Sequence, residues 1–151
     1  MQKIVFILIT ILLCSTPAVA DDNGLISTKS AYNVETTADR LEHALLAKGM
    51  TVFARINHAE GAKNVGKSLR STEVIIFGNP KIGTRLMQCA QSVAIDLPQK
   101  ALIWEDASAQ VWLTYNAPEY LLKRHGIKGC DKVIHKITNA LSNFAKAATA
   151  E

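Results

Sequence analysis

The chain has 151 residues, of which 48% are hydrophobic and 20% charged, with 17 Lys and Arg against 13 Asp and Glu. A net charge of +4 with both signs interspersed argues against a nucleic-acid binder, which gathers its basic residues on one face or along one helix. The length leaves room for one domain, and no repeat or low-complexity tract divides it.

Residues 1 to 20 read as a cleavable export signal. Lys3 gives the positive start, Ile4 to Cys14 is an 11-residue apolar run, and Ala18-Val19-Ala20 is the small-x-small pattern for cleavage after Ala20. The run falls short of the roughly 20 apolar residues of a membrane span. Lipidation at Cys14 is not expected either, since Leu13 stands where that signal wants Gly or Ala. The expected product is a single domain, residues 21–151, periplasmic or secreted and without a membrane anchor.

In chain order, Leu25, Ile26 and Thr28 suggest a first strand between Gly24 and Ala31. A helix follows, capped at Thr36 with Asp39 three residues on, carrying Leu41, Ala44 and Leu45 on its apolar stripe and ending at Gly49. Thr51 to Ile56 alternates as a strand with Val52, Ala54 and Ile56 inward. Asn57 to about Leu69 reads as a polar loop. The β-branched run Glu73 to Phe77 is a strand, and the turn from Gly78 to Lys81 leads into a short helix over about Gly83 to Ser92.

Lys100 to Asp106 and Gln110 to Asn116 read as a hairpin closing at Ser108-Ala109, with Ala107 opposite Gln110 and Glu105 opposite Trp112. That register puts Leu102, Trp104, Val111, Leu113 and Tyr115 in the core. It leaves Ile103, Glu105, Trp112 and Thr114 on a half-polar face suited to homodimer formation. Pro118 opens a helix that Gly126 ends, and Asp131 to Ala148 forms the last one. The order β-α-β-β-α-β-β-α-α lacks crossover helices between adjacent strands, which predicts an α+β domain with helices packed on an antiparallel sheet.

Beyond Cys14, the chain has Cys89 and Cys130. An oxidising compartment permits a bond between them. Cys89 also falls at helical spacing with Ile82, Leu86 and Val93, which suits a small buried apolar residue. Both readings stand.

Four stretches resemble one family: Gly78-Asn79-Pro80-Lys81-Ile82-Gly83-Thr84, Ala94-Ile95-Asp96-Leu97-Pro98, Trp104-Glu105-Asp106 and Val111-Trp112-Leu113-Thr114-Tyr115-Asn116. Phe53 to His58 and Tyr120 with Arg124-His125-Gly126 fit the same pattern. The sequence is similar to the domain of unknown function 302 family (DUF302) from about Ser27 to His135. The resemblance implies a small α+β domain, exported in many members, with no enzymatic activity attached to the family as a whole. Where the family pattern has Asp-Gly in the hairpin turn, this chain has Ser108-Ala109, and the pattern does not require Cys89 and Cys130.

The residues offer few sites for chemistry. His58, two residues before Glu60, could ligate a metal or shuttle a proton, but two ligands make no site, and His43, His125 and His135 are scattered in sequence. The turn at Asn79 and Lys81 leads into a helix N-terminus whose free amides, with Lys81, could hold an anion. Glu105 and Glu73 lie on apolar strands, where a pocket would raise a carboxyl pKa, or where either could pair with Arg55 or Lys100. No Gly-x-Ser-x-Gly signature marks Ser68, Ser71 or Ser92 as a nucleophile.

The leading expectation is a ligand- or partner-binding accessory module with a pocket at His58, Asn79, Lys81 and Glu105. Alternatives are an enzyme using His58 with Glu105 or Glu73 as acid and base, and a metal or haem carrier using His58. The sequence names no cofactor and no catalytic residue.

Overall fold

Val74, Ile75, Ile76 and Phe77 form a run of β-prone residues, and such a run is most stable with a neighbour on both sides. The computed structural model, which describes residues 23–151, places it on an inner strand of a five-stranded sheet. The expected export signal, residues 1–20, lies outside the described residues.

The elements are β1 (Leu25–Lys29), α1 (Val34–Ala47), β2 (Thr51–Asn57), α2 (His58–Asn64), β3 (Thr72–Gly78) and α3 (Pro80–Cys89). A 3-10 turn (Gln91–Ile95), β4 (Gln99–Glu105), β5 (Val111–Asn116), α4 (Pro118–His125) and α5 (Asp131–Thr149) complete them. The sheet order is β1-β5-β4-β3-β2, with each neighbouring pair antiparallel. The fold is α+β, as the pattern of elements predicts.

One face of this sheet is dry. Leu41 and Leu45 of α1 and Leu141, Phe144 and Ala148 of α5 pack onto Ile75, Phe77, Ile103 and Leu113. Phe77 and Phe144 meet edge to face with ring centroids 6.4 Å apart, a geometry that adds to the burial of both rings. A second apolar cluster, with Leu86, Val93, Leu121, Ile127 and Ile134, joins α3, the 3-10 turn, α4 and α5 at the side of the main core.

Three local expectations change. The stretch after β2 is not wholly a loop: α2 forms there, with the Asn57 side chain accepting the Glu60 amide, yet it buries no residue. That capping bond stabilises the first turn of a helix that apolar periodicity cannot reveal. Helix α1 starts earlier than expected, because Asn33 and not Thr36 is its cap and accepts the Thr36 amide at 2.8 Å. In β2 a bulge between Val52 and Ala54 breaks the simple alternation, so Arg55 faces α1 while Ile56 is 41% exposed.

The hairpin register differs by one residue. Glu105 pairs with Val111 and Trp104 with Trp112, since the connection is a longer loop and not a two-residue turn. Asp106 organises it: one carboxylate oxygen accepts the Ser108 and Gln110 amides, and the other accepts the Trp112 indole N–H at 2.8 Å. These bonds, Trp112's first, hold the Asp106 carboxyl below its ordinary pKa. Ala109 takes φ 60°, the left-handed conformation that Gly adopts without strain. A slip of one residue moves a strand's side chains to the opposite face. Ile103 is therefore in the core and fully buried, while Leu102 and Trp104 join Trp112 and Thr114 on the second face.

Replacing Ile103 with Ala is expected to destabilise the domain by about 2 to 5 kcal/mol in denaturant unfolding, as for other buried large-to-small changes. Leu102→Ala should have a clearly smaller effect. The reverse ranking would contradict this register.

Candidate functional site

Antiparallel pairing brings the start of β2, the end of β3 and the start of β4 to one end of the sheet, where Thr51 pairs with Gly78 and Phe77 with Gln99. Helix α3 leaves β3 at this end through Asn79 and runs out toward α5, so space opens between α3 and the main core. The result is a cleft of about 910 Å³, within the range of small-molecule sites. Its walls are apolar: Phe77 at the sheet, Ala44 on α1, Leu86 and Met87 on α3, Ile137 and Ala140 on α5. The β2 bulge also matters here, because bulges re-aim side chains. Phe53 lines the cleft, and its ring leaves only 3.3 Å to a side-chain carbon built at Gly78.

Two of the four residues expected to share a pocket, Asn79 and Lys81, line this cleft. The other two do not. His58 begins α2 and Glu105 ends β4, both at the opposite end of the sheet, and neither lines this cleft. The expected four-residue pocket thus separates into two pairs, because β3 runs the whole height of the sheet between Glu73 and Asn79.

The anion site expected at the α3 N-terminus also changes. Pro80 has no N–H, Asn79 Oδ1 accepts the Lys81 amide at 3.0 Å, and the Asn79 carbonyl accepts those of Ile82 and Gly83. The amides are used within the turn, so Lys81 contributes through its side chain.

At the far end a smaller cavity of about 350 Å³ is lined by Arg55, Asn57 and Glu73. Arg55 donates to Glu73, to Asp39 at 2.6 Å and to Glu42 at 3.1 Å. The bond to Glu73 chiefly holds the guanidinium above its ordinary pKa, against the opposing effect of burial. Glu73, 6% exposed, thus serves as the cross-strand partner of Arg55, and the pairing occupies a group that the acid–base alternative would need.

Another constellation escaped the sequence. Ser92 Oγ lies 3.1 Å from His125 Nδ1, and His125 Nε2 lies 2.6 Å from Asp96 Oδ2. Arg124 also donates to Asp96, at 3.3 Å. The order Ser-His-Asp is that of a nucleophile relay, but neither cavity is lined by Ser92 or His125. Its evident work is to fasten the 3-10 turn to the end of α4. The three residues span 33 positions, so no local motif announces them.

The structure joins Cys89 to Cys130 with α-carbons 6.4 Å apart, inside the usual disulfide range. The bond ties the last residue of α3 to the residue before α5. Among the described residues, no group of three or more His, Cys, Asp or Glu could hold a metal ion.

A match to the family described as "Domain of unknown function DUF302" covers residues 26–144. The chain belongs to this family. A crystal structure of the uncharacterized conserved protein DUF302 from Bacillus stearothermophilus superimposes with a TM-score of 0.75 at 16% identity. It covers 83% of this chain and 98% of that one, a likeness of fold alone.

The chain is also 46% identical over 106 residues to the Fluoride-specific ion channel FluC 1 of Brucella suis biovar 1 (strain 1330) and to that of Brucella abortus biovar 1 (strain 9-941). The match takes 70% of this chain but only 42% and 39% of those proteins. Among the described residues of this chain no helix is long and apolar enough to cross a membrane.

Replacing both Cys89 and Cys130 with Ser should lower stability by about 2 to 4 kcal/mol, as expected for a bond closing a loop of this length. A reducing agent should bring the unmodified protein to the same melting temperature while leaving the double variant unmoved. Identical melting of both proteins without reductant would show that no bond forms.

Proposed function

We propose that this DUF302 domain is an exported accessory module that binds a small apolar molecule in the cleft between α3 and the α1–α5 layer. The cleft itself carries the proposal: a volume of about 910 Å³ walled by Phe77, Leu86, Met87, Ile137 and Ala140. Apolar surface left open on this scale favours an occupant, because each buried methylene of a ligand contributes about 0.8 kcal/mol. The export signal read from residues 1–20 supports action in the periplasm or outside the cell. The Brucella relatives named as fluoride-specific ion channels carry a region like this one within a longer protein. That arrangement supports an accessory role beside other envelope components.

Self-association is part of the same proposal. Helices α1 and α5 both lie on the first face of the sheet, while the second presents Trp104, Trp112, Leu102 and Ile76. Thr114 accepts the Trp104 indole N–H at 3.0 Å, and Lys29 lies 5.4 Å from the Trp112 ring centroid, a mixture of apolar and satisfied polar groups typical of interfaces. Light scattering should give a dimer mass that falls to the monomer mass in Trp104→Lys; a monomer at every concentration would refute the association.

The cleft is tested with Nile red, an uncharged dye that brightens in apolar surroundings. The purified protein should bind it saturably, and Ala140→Trp, which fills the space, should weaken binding at least tenfold while the melting transition stays cooperative. Failure of the unmodified protein to bind the dye, or equal binding by the filled variant, would overturn the reading.

A further inference from the structure

The cleft is apolar in its walls but one-signed in its charge. Lys48, Lys81, Arg85 and Lys136 line it, and no Asp or Glu does. None of the four cations makes an ion pair among the described residues. The remaining charges of the domain are mixed, so this local imbalance is a property of the cleft and not of the surface as a whole.

A second observation is independent of the first. Gln99, at the start of β4, lines the same cleft and is 8% exposed. Its side-chain Nε2 is buried with no hydrogen-bond partner. Native proteins seldom leave such a donor unmatched, because desolvating it without compensation is unfavourable by about 1 to 3 kcal/mol. An acceptor on a bound molecule would satisfy it.

From these two features, and resting on the reading of the cleft as a binding site, we infer that its ligand is a single-chain anionic amphiphile, a free monocarboxylate with an extended hydrocarbon tail. The tail packs on Phe77, Leu86 and Ile137, and the carboxylate accepts hydrogen bonds from the Gln99 amide and the neighbouring cations. A cationic amphiphile would bring like charges together. A neutral one would fill the walls but leave the four cations without a counter-charge.

The experiment compares decanoate, decanol and decyltrimethylammonium by calorimetry, each below its aggregation concentration. Decanoate should bind at least tenfold more tightly than decanol, the gain expected of hydrogen bonds to a charged group, and the cation should bind least. Across octanoate, decanoate and dodecanoate, affinity should rise about three- to fourfold per methylene until the cleft is full.

Lys81→Glu combined with Lys136→Glu, both at exposed positions, should remove the preference for decanoate over decanol while the melting transition stays cooperative. Gln99→Leu should reduce that preference too. Equal affinity for decanoate and decanol would overturn the anionic class and leave the cleft reading standing, whereas absence of binding by all three and by Nile red would overturn both. Cosedimentation with phosphatidylglycerol vesicles, without binding of free decanoate, would assign the cleft to a membrane surface and refute the free-ligand proposal.

Discussion

The packing of α1 and α5 against one face of the sheet is the contact on which the rest of the molecule depends. It decides which side of each strand is dry, and it commits Ile75, Phe77, Ile103 and Leu113 to a common interior. Two helices side by side cover the middle of a five-stranded sheet. Helix α3 leaves β3 at one end of that covered region and does not add to it: Leu86 is its sole buried residue. The cleft is the space between a helix that must start at the sheet and a core already closed without it.

Much of this architecture is legible in the sequence, and the exceptions have definite causes. Long, periodic segments such as Asp131 to Ala148 read correctly because burial imposes a repeat on them. Helix α2 does not, because none of its residues is buried and its only marker is the pair Asn57 and Glu60. A two-residue turn at Ser108-Ala109 would invert the faces of β4. Asp106 builds a longer loop, and one added residue exchanges Ile103 for Leu102 in the core. The error is small in sequence and complete in space.

The site was legible in proportion to how local its parts are. Asn79 and Lys81 stand in a turn whose Gly and Pro residues draw notice, and both reach the cleft. Gln99 carries no such signal, since a lone glutamine at a strand start resembles any other. His58 and Glu105 look equally eligible in one dimension, but strand direction takes them to the far end. The Ser92, His125 and Asp96 relay needs the 3-10 turn, with its cap Asp96, to meet the end of α4 before it exists at all. Composition likewise hides the cleft's charge, since a chain of mixed signs can still gather four cations around one opening.

The Cys89–Cys130 bond has a geometric consequence for the cleft. Helix α3 is held at its first residue by the covalent run from β3 and at its last by the bridge to the residue before α5. It is a beam with both ends clamped rather than a jaw with one hinge. Such a wall resists swinging outward, so the gap it bounds keeps a nearly constant width. An opening held at a constant width sorts molecules by their thickness before any charge is read.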